Sequence, residues 1–277
     1  MKSLAHLFLI FVFMWNSYLF ASKDDKSFQE QSMLAVLYAQ TSAEYSANNI
    51  QTYNNAKIAL DKALLDTSWT AALEQKNDYS HKQPAIILDV DETVLDNSPF
   101  QARTIITGVS YPDGWVEWAN EEKATLISGV YDFLNYAKTK NVKVFYVTNR
   151  IESLEESTKN NLIQLGLPFD EDIDVLLMKN ENGWTSDKTA RRELIAKDYR
   201  ILLLFGDQLT DFMSAEESYI YHIERKMLAE KYSKMWGEKW FVITNPMYGR
   251  WESAIYNHKD PGSEQNAIEI RKDSLKP

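Results

Sequence analysis

The feature that most constrains this chain is a series of short, unalternating apolar runs, several of them ending in acidic or polar residues and most separated by a helical pattern. Ala85-Ile86-Ile87-Leu88, just after Pro84, is the first, and Val142 to Val147, Asp174 to Met178, Arg200 to Phe205 and Trp240 to Ile243 follow it. Runs that are apolar throughout, rather than at every second residue, belong in a parallel sheet covered on both faces. Between them, Ala124 to Lys138 places Leu126, Ile127, Val130, Phe133 and Leu134 at helical spacing, and Ser157 to Leu165 and Lys188 to Ala196 read likewise. Alternating β and α predicts a doubly wound α/β fold, in which functional groups collect just past the carboxyl ends of the strands.

The flanking segments read differently. Residues 27 to about 75 contain no Gly or Pro and carry Leu34, Val36, Leu37 and Tyr38, then Ile58, Leu60, Ala63 and Leu64, at three- and four-residue steps. This predicts two or three helices within an N-terminal segment, 22–81. The segment is expected to pack with a small helical cap inserted at about 97–141, which carries Tyr111, Pro112, Trp115 and Trp118. The sheet domain is expected over 82–257, followed by a polar, loosely held tail at 258–277. The first residues, Met1-Lys2-Ser3, lead into an apolar run from Leu4 to Phe20, then Ala21 and the charged Ser22 to Lys26. That pattern reads as a secretory leader, residues 1–21; the alternative, an uncleaved anchor, has a short run for a spanning helix. A periplasmic or secreted protein with no membrane anchor after cleavage is the expectation.

Composition narrows the chemistry. The chain has 277 residues, 44% of them apolar, and no cysteine. A core of this size needs no disulfides, and the missing thiols exclude N-terminal lipidation at Cys, cysteine nucleophiles and thiolate zinc sites. A formal net charge of -10 argues against binding a nucleic acid polymer. It leaves room for a small anion, since a few local cations and a metal suffice to attract one. The histidines, His6, His81, His222 and His258, form no Arg-His-Gly motif or metal cluster, and there is no phosphate-binding loop or nucleophile elbow.

Three polar groups sit where such a fold places its site. Asp89-Val90-Asp91-Glu92-Thr93 follows the first run, Thr148-Asn149-Arg150 the second, and Gly206-Asp207-Gln208-Leu209-Thr210-Asp211 the fourth, with Lys188 opening the helix before it. This DxDxT, Thr, Lys, GDxxxD order resembles the haloacid-dehalogenase superfamily. More narrowly, Asp89 to Pro99 and the late Asn245-Pro246-Met247-Tyr248-Gly249-Arg250-Trp251-Glu252 are similar to the class C bacterial acid phosphatases, which include the lipoprotein e phosphatases. The resemblance runs from the N-terminal helices to about Trp251. Many relatives carry a lipidated cysteine, which this chain lacks.

Phosphoryl transfer needs a nucleophile, charge neutralisation on the phosphoryl oxygens and a proton for the leaving group. Asp89 can attack phosphorus to form an aspartyl phosphate. Asp91 can protonate the leaving oxygen and later deprotonate water. Thr148 can donate to a phosphoryl oxygen, and Lys188 can pair with the phosphate. Lys179 competes for that last role, but the family's Ser-x-Lys spacing, through Ser186, favours Lys188. The resemblance implies Mg²⁺, held by Asp89, the Asp91 main-chain carbonyl and Asp207, with Asp211 orienting the metal's waters. Asn149 is grouped with the substrate-binding residues. Asp96, Asn97 and Arg150 can be loop structure, and Arg150 has no assigned role.

The implied function is an acid phosphatase acting on small phosphomonoesters, 5′-nucleotides included. Phe100 and Tyr248 could overhang the mouth and sandwich a base; the alternative is that both rings pack the core or a dimer contact. Relatives form dimers, and a homodimer is expected here. The rivals are a phosphotransferase, in which an alcohol replaces water, and a non-catalytic storage or binding protein on the same fold. Related storage proteins lack the nucleophile, whereas Asp89 and Asp91 are both present here.

Overall fold

The structure is a computed structural model and describes residues 27–76 and 78–277; the expected leader lies outside the described residues. Three helices come first, α1 (Ser27–Glu30), α2 (Met33–Thr41) and α3 (Ala43–Leu65). Strand β1 (Gln83–Leu88) leads to β2 (Leu95–Asp96), α4 (Ser98–Thr107), α5 (Trp115–Asn120), β3 (Thr125–Leu126) and α6 (Val130–Thr139). Then come β4 (Lys143–Ile151), α7 (Glu155–Gln164), β5 (Leu176–Lys179), α8 (Thr189–Asp198) and β6 (Tyr199–Gly206). The chain finishes with α9 (Ala215–Ser218), α10 (His222–Lys231), β7 (Trp240–Val242), α11 (Arg250–Ser253) and α12 (Glu264–Asp273).

The main sheet has the order β5-β4-β1-β6-β7, and every pair is parallel. The chain therefore works outward from β1 to β5, then crosses back to β6. β1 and β6 border the point where the order reverses, the place where doubly wound sheets open a crevice. Leu88 is level with Tyr146 on β4 and Phe205 on β6. Asp89 thus leaves the sheet level with Val147 and Gly206, one residue before Thr148 and Asp207.

The unalternating strands are buried on both faces, as their composition requires. Ile86 and Leu88 pack with Tyr53 and Leu60 of α3 and Phe133 and Leu134 of α6. Ala85 and Ile87 face the other way, towards Ala71, Ile195, Leu228 and Trp240. Each Ile, Leu or Phe among them contributes roughly 1.5–3 kcal/mol by leaving water. Rings close the first layer: Phe205 lies 5.7 Å from Tyr53, 4.8 Å from Phe133 and 5.2 Å from Phe241 between centroids.

α1 and α2 contact α4 of the insertion, as expected, while α3 lies on the sheet and against α6 as part of the core. Two expectations need correction. The helix expected from Ala124 starts only at Val130. Thr125 and Leu126 instead pair antiparallel with Asp96 and Leu95, and Gly129 turns the chain at φ 92°. Since α6 packs in the core, the insertion proper ends before it. The tail is not loose either. Ser263 caps α12 by accepting from the Asn266 N–H at 3.2 Å, and Ala267 is buried. Arg271 donates to Gln31 at 2.5 Å and to Glu252 and Tyr256, and lies over the Phe28 ring. Among the described residues, no helix is long and apolar enough to cross a membrane.

Candidate active site

The centre of the site is a buried lysine between two acids. Lys188, 3% exposed, stands at the start of α8 and donates to Asp89 at the end of β1 and to Asp211 at 2.6 Å. Asp211 is placed by the turn after β6, where its other oxygen accepts from the Gln208 N–H at 2.8 Å. A Cβ on Gly206 would collide with the Asp211 side chain, which gives the glycine before Asp207 a steric reason. Asp207 accepts from Gln208 Nε2 at 2.6 Å and Asn245 Nδ2 at 2.8 Å.

One oxygen from each of Asp89, Asp207 and Asp211 lies within 4.8 Å of the others. Three carboxylates thus face one ammonium, and the electrostatics reflect the shortage of positive charge. Desolvation and the neighbouring Asp211 push the Asp207 carboxyl up to about 7. Burial pushes Asp89 up as well, with Lys188 pulling against it. Burial disfavours the Lys188 charge, but Asp211 and Asp89 outweigh it and hold the ammonium above the ordinary lysine value. A cluster of hard oxygen donors short of positive charge fits a hard divalent cation.

Asp91, two residues beyond Asp89, is half-buried. Its Oδ1 accepts from Asn97 Nδ2 and Arg150 Nε, each at 2.9 Å, and Thr148 Oγ1 lies 3.5 Å from its Oδ2. Thr148 is buried and its hydroxyl accepts from the Arg150 N–H at 3.0 Å. Asn149 is exposed, but its amide is engaged at both ends, donating to Ser186 O at 3.1 Å and accepting from Arg191 at 2.8 Å. It ties the loop after β4 to the loop that carries Lys188.

The structure therefore brings Asp89, Asp91, Thr148, Lys188, Asp207 and Asp211 to one end of the sheet. Phe100 does not join them. It is 3% exposed in the core cluster and meets Trp115 edge-on at 5.1 Å, because α4 turns its Phe100, Thr104 and Ile105 positions inward. Tyr248 is half-buried, and its hydroxyl donates to the buried carboxyl of Glu92. Glu92 sits at φ 55° and also accepts from the Asn97 N–H at 2.8 Å; burial and the charges of Asp91 and Asp207 hold it well above the usual carboxylate range.

Several supporting residues had no sequence assignment. Arg191 donates to Thr148 O and Arg192 to Thr210 O at 2.9 Å and Asp211 O at 3.2 Å. With Lys188 they occupy positions i, i+3 and i+4, one face of a helix, and that spacing was the available signal. Glu92, Asn97 and Asn245 lie in the two segments that carry the resemblance but, like Arg150, showed no spacing that marked a role.

A parallel sheet with paired aspartates past β1 and two more past the neighbouring β6 defines a haloacid-dehalogenase-like fold. The family model for acid phosphatases of subfamily IIIB of that superfamily matches residues 21–251. Two solved structures agree: the class C acid phosphatase from Bacillus anthracis, with a TM-score of 0.77, and the same enzyme with tungstate bound, with 0.79. Each is 35% identical and covers 90% of this chain and 98% of its own. The chain belongs to the class C acid phosphatase family.

Proposed function

We propose that this acid phosphatase hydrolyses small phosphomonoesters in two steps, through an acyl phosphate on Asp89 and with Mg²⁺ as its metal. The observation that carries the reading is the convergence of the Asp89, Asp207 and Asp211 carboxylates around buried Lys188. Asp89 forms a bond to phosphorus as the ester P–O bond breaks, and Asp91 supplies the proton that leaves with the alcohol. In the second step Asp91 takes a proton from the water that releases phosphate. In this reading the Thr148 hydroxyl and the Lys188 ammonium hold phosphoryl oxygens. Asp89 and Asp207, with Asp211 beside them, would hold the metal, which when bound neutralises charge on the phosphoryl group. Tungstate is a tetrahedral oxyanion, and its binding by a relative 35% identical supports an oxyanion site in the same position.

Asp89→Asn should lower turnover of an aryl phosphate by about 10⁴-fold or more, and chelation should abolish turnover until Mg²⁺ is restored. Near-native rates from Asp89→Asn, or full activity after exhaustive chelation, would overturn the corresponding half of the reading.

5′-Nucleotides remain the substrate class we favour, with Tyr248 as the ring that meets the base. Stacking of one base on one ring is worth about 1–3 kcal/mol and tolerates any base. Tyr248→Ala should therefore raise KM for a 5′-nucleotide roughly tenfold while a small aryl phosphate is less affected. Equal changes on both substrates would remove Tyr248 from base recognition.

A further inference from the structure

We infer that Arg150, Asn97 and Trp118 form a clamp on Asp91 that fixes one carboxylate oxygen and leaves the other to carry the catalytic proton. The inference rests on the reading of Asp91 as proton donor. Asp91 Oδ1 is surrounded by donors: Arg150 Nε and Nη2 lie 2.9 Å from it, as does Asn97 Nδ2. A carboxylate oxygen offers about two lone pairs, so the two N–H groups that donate to it, Arg150 Nε–H and an Asn97 Nδ2–H, leave none for a proton. Only the Thr148 hydroxyl, at 3.5 Å, approaches Oδ2 among the described residues. Oδ2 is thus the oxygen that gives its proton to the departing alcohol oxygen as the P–O bond breaks and the Asp89–phosphorus bond forms.

The clamp is itself held. Trp118 Nε1 donates to Asn97 Oδ1 at 2.9 Å, and Arg150 Nη2 reaches the same oxygen at 3.3 Å. With its oxygen between two donors, the Asn97 amide can only turn its NH₂ towards Asp91. Arg150 is 2% exposed, donates to Thr158 of α7 at 3.2 Å and lies 5.4 Å from the Trp115 ring centroid, within cation–π range. Trp115 and Trp118 both belong to α5 of the insertion. α5 is therefore wired to the proton donor, and Arg150, Asn97 and Trp118 are positioning residues for it.

A misplaced proton donor hurts a poor leaving group more than a good one, whereas general structural damage lowers both. kcat/KM would be measured for 4-nitrophenyl phosphate and for a simple alkyl phosphate. Trp118→Phe removes the indole N–H but keeps a ring, and Arg150→Lys keeps the charge but loses the fork. Losing one such bond should cost roughly tenfold on the alkyl ester and under about threefold on the aryl ester. Asp91→Asn serves as the reference and should lose about 10²–10⁴-fold more on the alkyl ester than on the aryl one. Equal losses in Asp91→Asn would overturn Asp91 as proton donor. A selective Asp91→Asn beside a Trp118→Phe that loses equally on both esters, or on neither, would overturn the clamp alone. If Arg150→Lys does not fold, Trp118→Phe decides the matter.

Discussion

At the residue scale, the site concentrates more negative charge than its own cations neutralise, and this has a pH signature in the metal-free protein. The Asp207 carboxyl is raised to about 7 in the folded state, against an unperturbed value of 3.8. Asp89 and Glu92 are raised in the same direction. A raised carboxyl means that the folded state binds the proton more tightly than the unfolded chain does. Between about pH 4 and pH 7 the unfolded chain has released that proton and the folded one has not, so stability falls as pH rises. The carboxyls lowered by surface partners, such as Asp61, Asp170 and Glu121, have their effect below that window. Chelated protein should therefore melt lower at pH 8 than at pH 5, by about 2–4 °C for each kcal/mol lost. Added Mg²⁺ should raise the midpoint more at pH 8, where it replaces protons already gone. Thermal melts at the two pH values, with and without metal, check this, and a chelated midpoint that rises with pH would contradict it. Asp89 and Asp207 were legible because each stands at a strand end, where the fold type gives position a meaning; Glu92, inside the loop after β1, carried no such mark. The clamp on Asp91 was not, since positions 91, 97, 118 and 150 meet only after the sheet and the insertion have formed. Phe100 misled because an aromatic close to a catalytic motif in sequence can still point into the core.

Between elements, the N-terminal helices meet the sheet domain closely at Gly129. A Cβ there would meet Ile50 Cα at 3.0 Å and Tyr53 side-chain atoms at 3.3 Å, and the residue has φ 92°. Gly129→Ala must therefore strain its own backbone and push α3 away from the start of α6. A loss of about 1–3 kcal/mol is expected, measured by chemical denaturation; an unchanged midpoint would mean that α3 yields freely. The same glycine explains why the predicted helix began too early. Leu126 and Ile127 have helical spacing with Val130, but they reach the core from extended chain that pairs with β2. Periodicity cannot tell a short buried strand from the first turn of a buried helix. The tail erred the other way. A helix of ten residues with one buried alanine leaves little apolar signal, and its hold on the rest comes from Arg271, a residue that reads as surface charge.

For the whole molecule, the number of main-sheet strands and their parallel sense followed from unalternating apolar runs, because burial on both faces leaves that mark on composition. Strand order was not written locally; it depends on which crossover helices cover which face. The N-terminal helices were recognised as helices, yet their part in the core was hidden, since their apolar positions look alike whether the partner is a cap or a sheet. The end of the chain has one more consequence. α12 rests against α1, and Arg271 bridges to Gln31 just beyond it. The two ends of the described fold are thus neighbours, while the catalytic loops lie in the interior of the sequence. A short flexible linker from Pro277 to Ser27 could make the backbone a ring, and a cut in the exposed turn around Glu238 would open it again between α10 and β7. Such a circular permutant would keep all five strands of the main sheet in place with a different residue first.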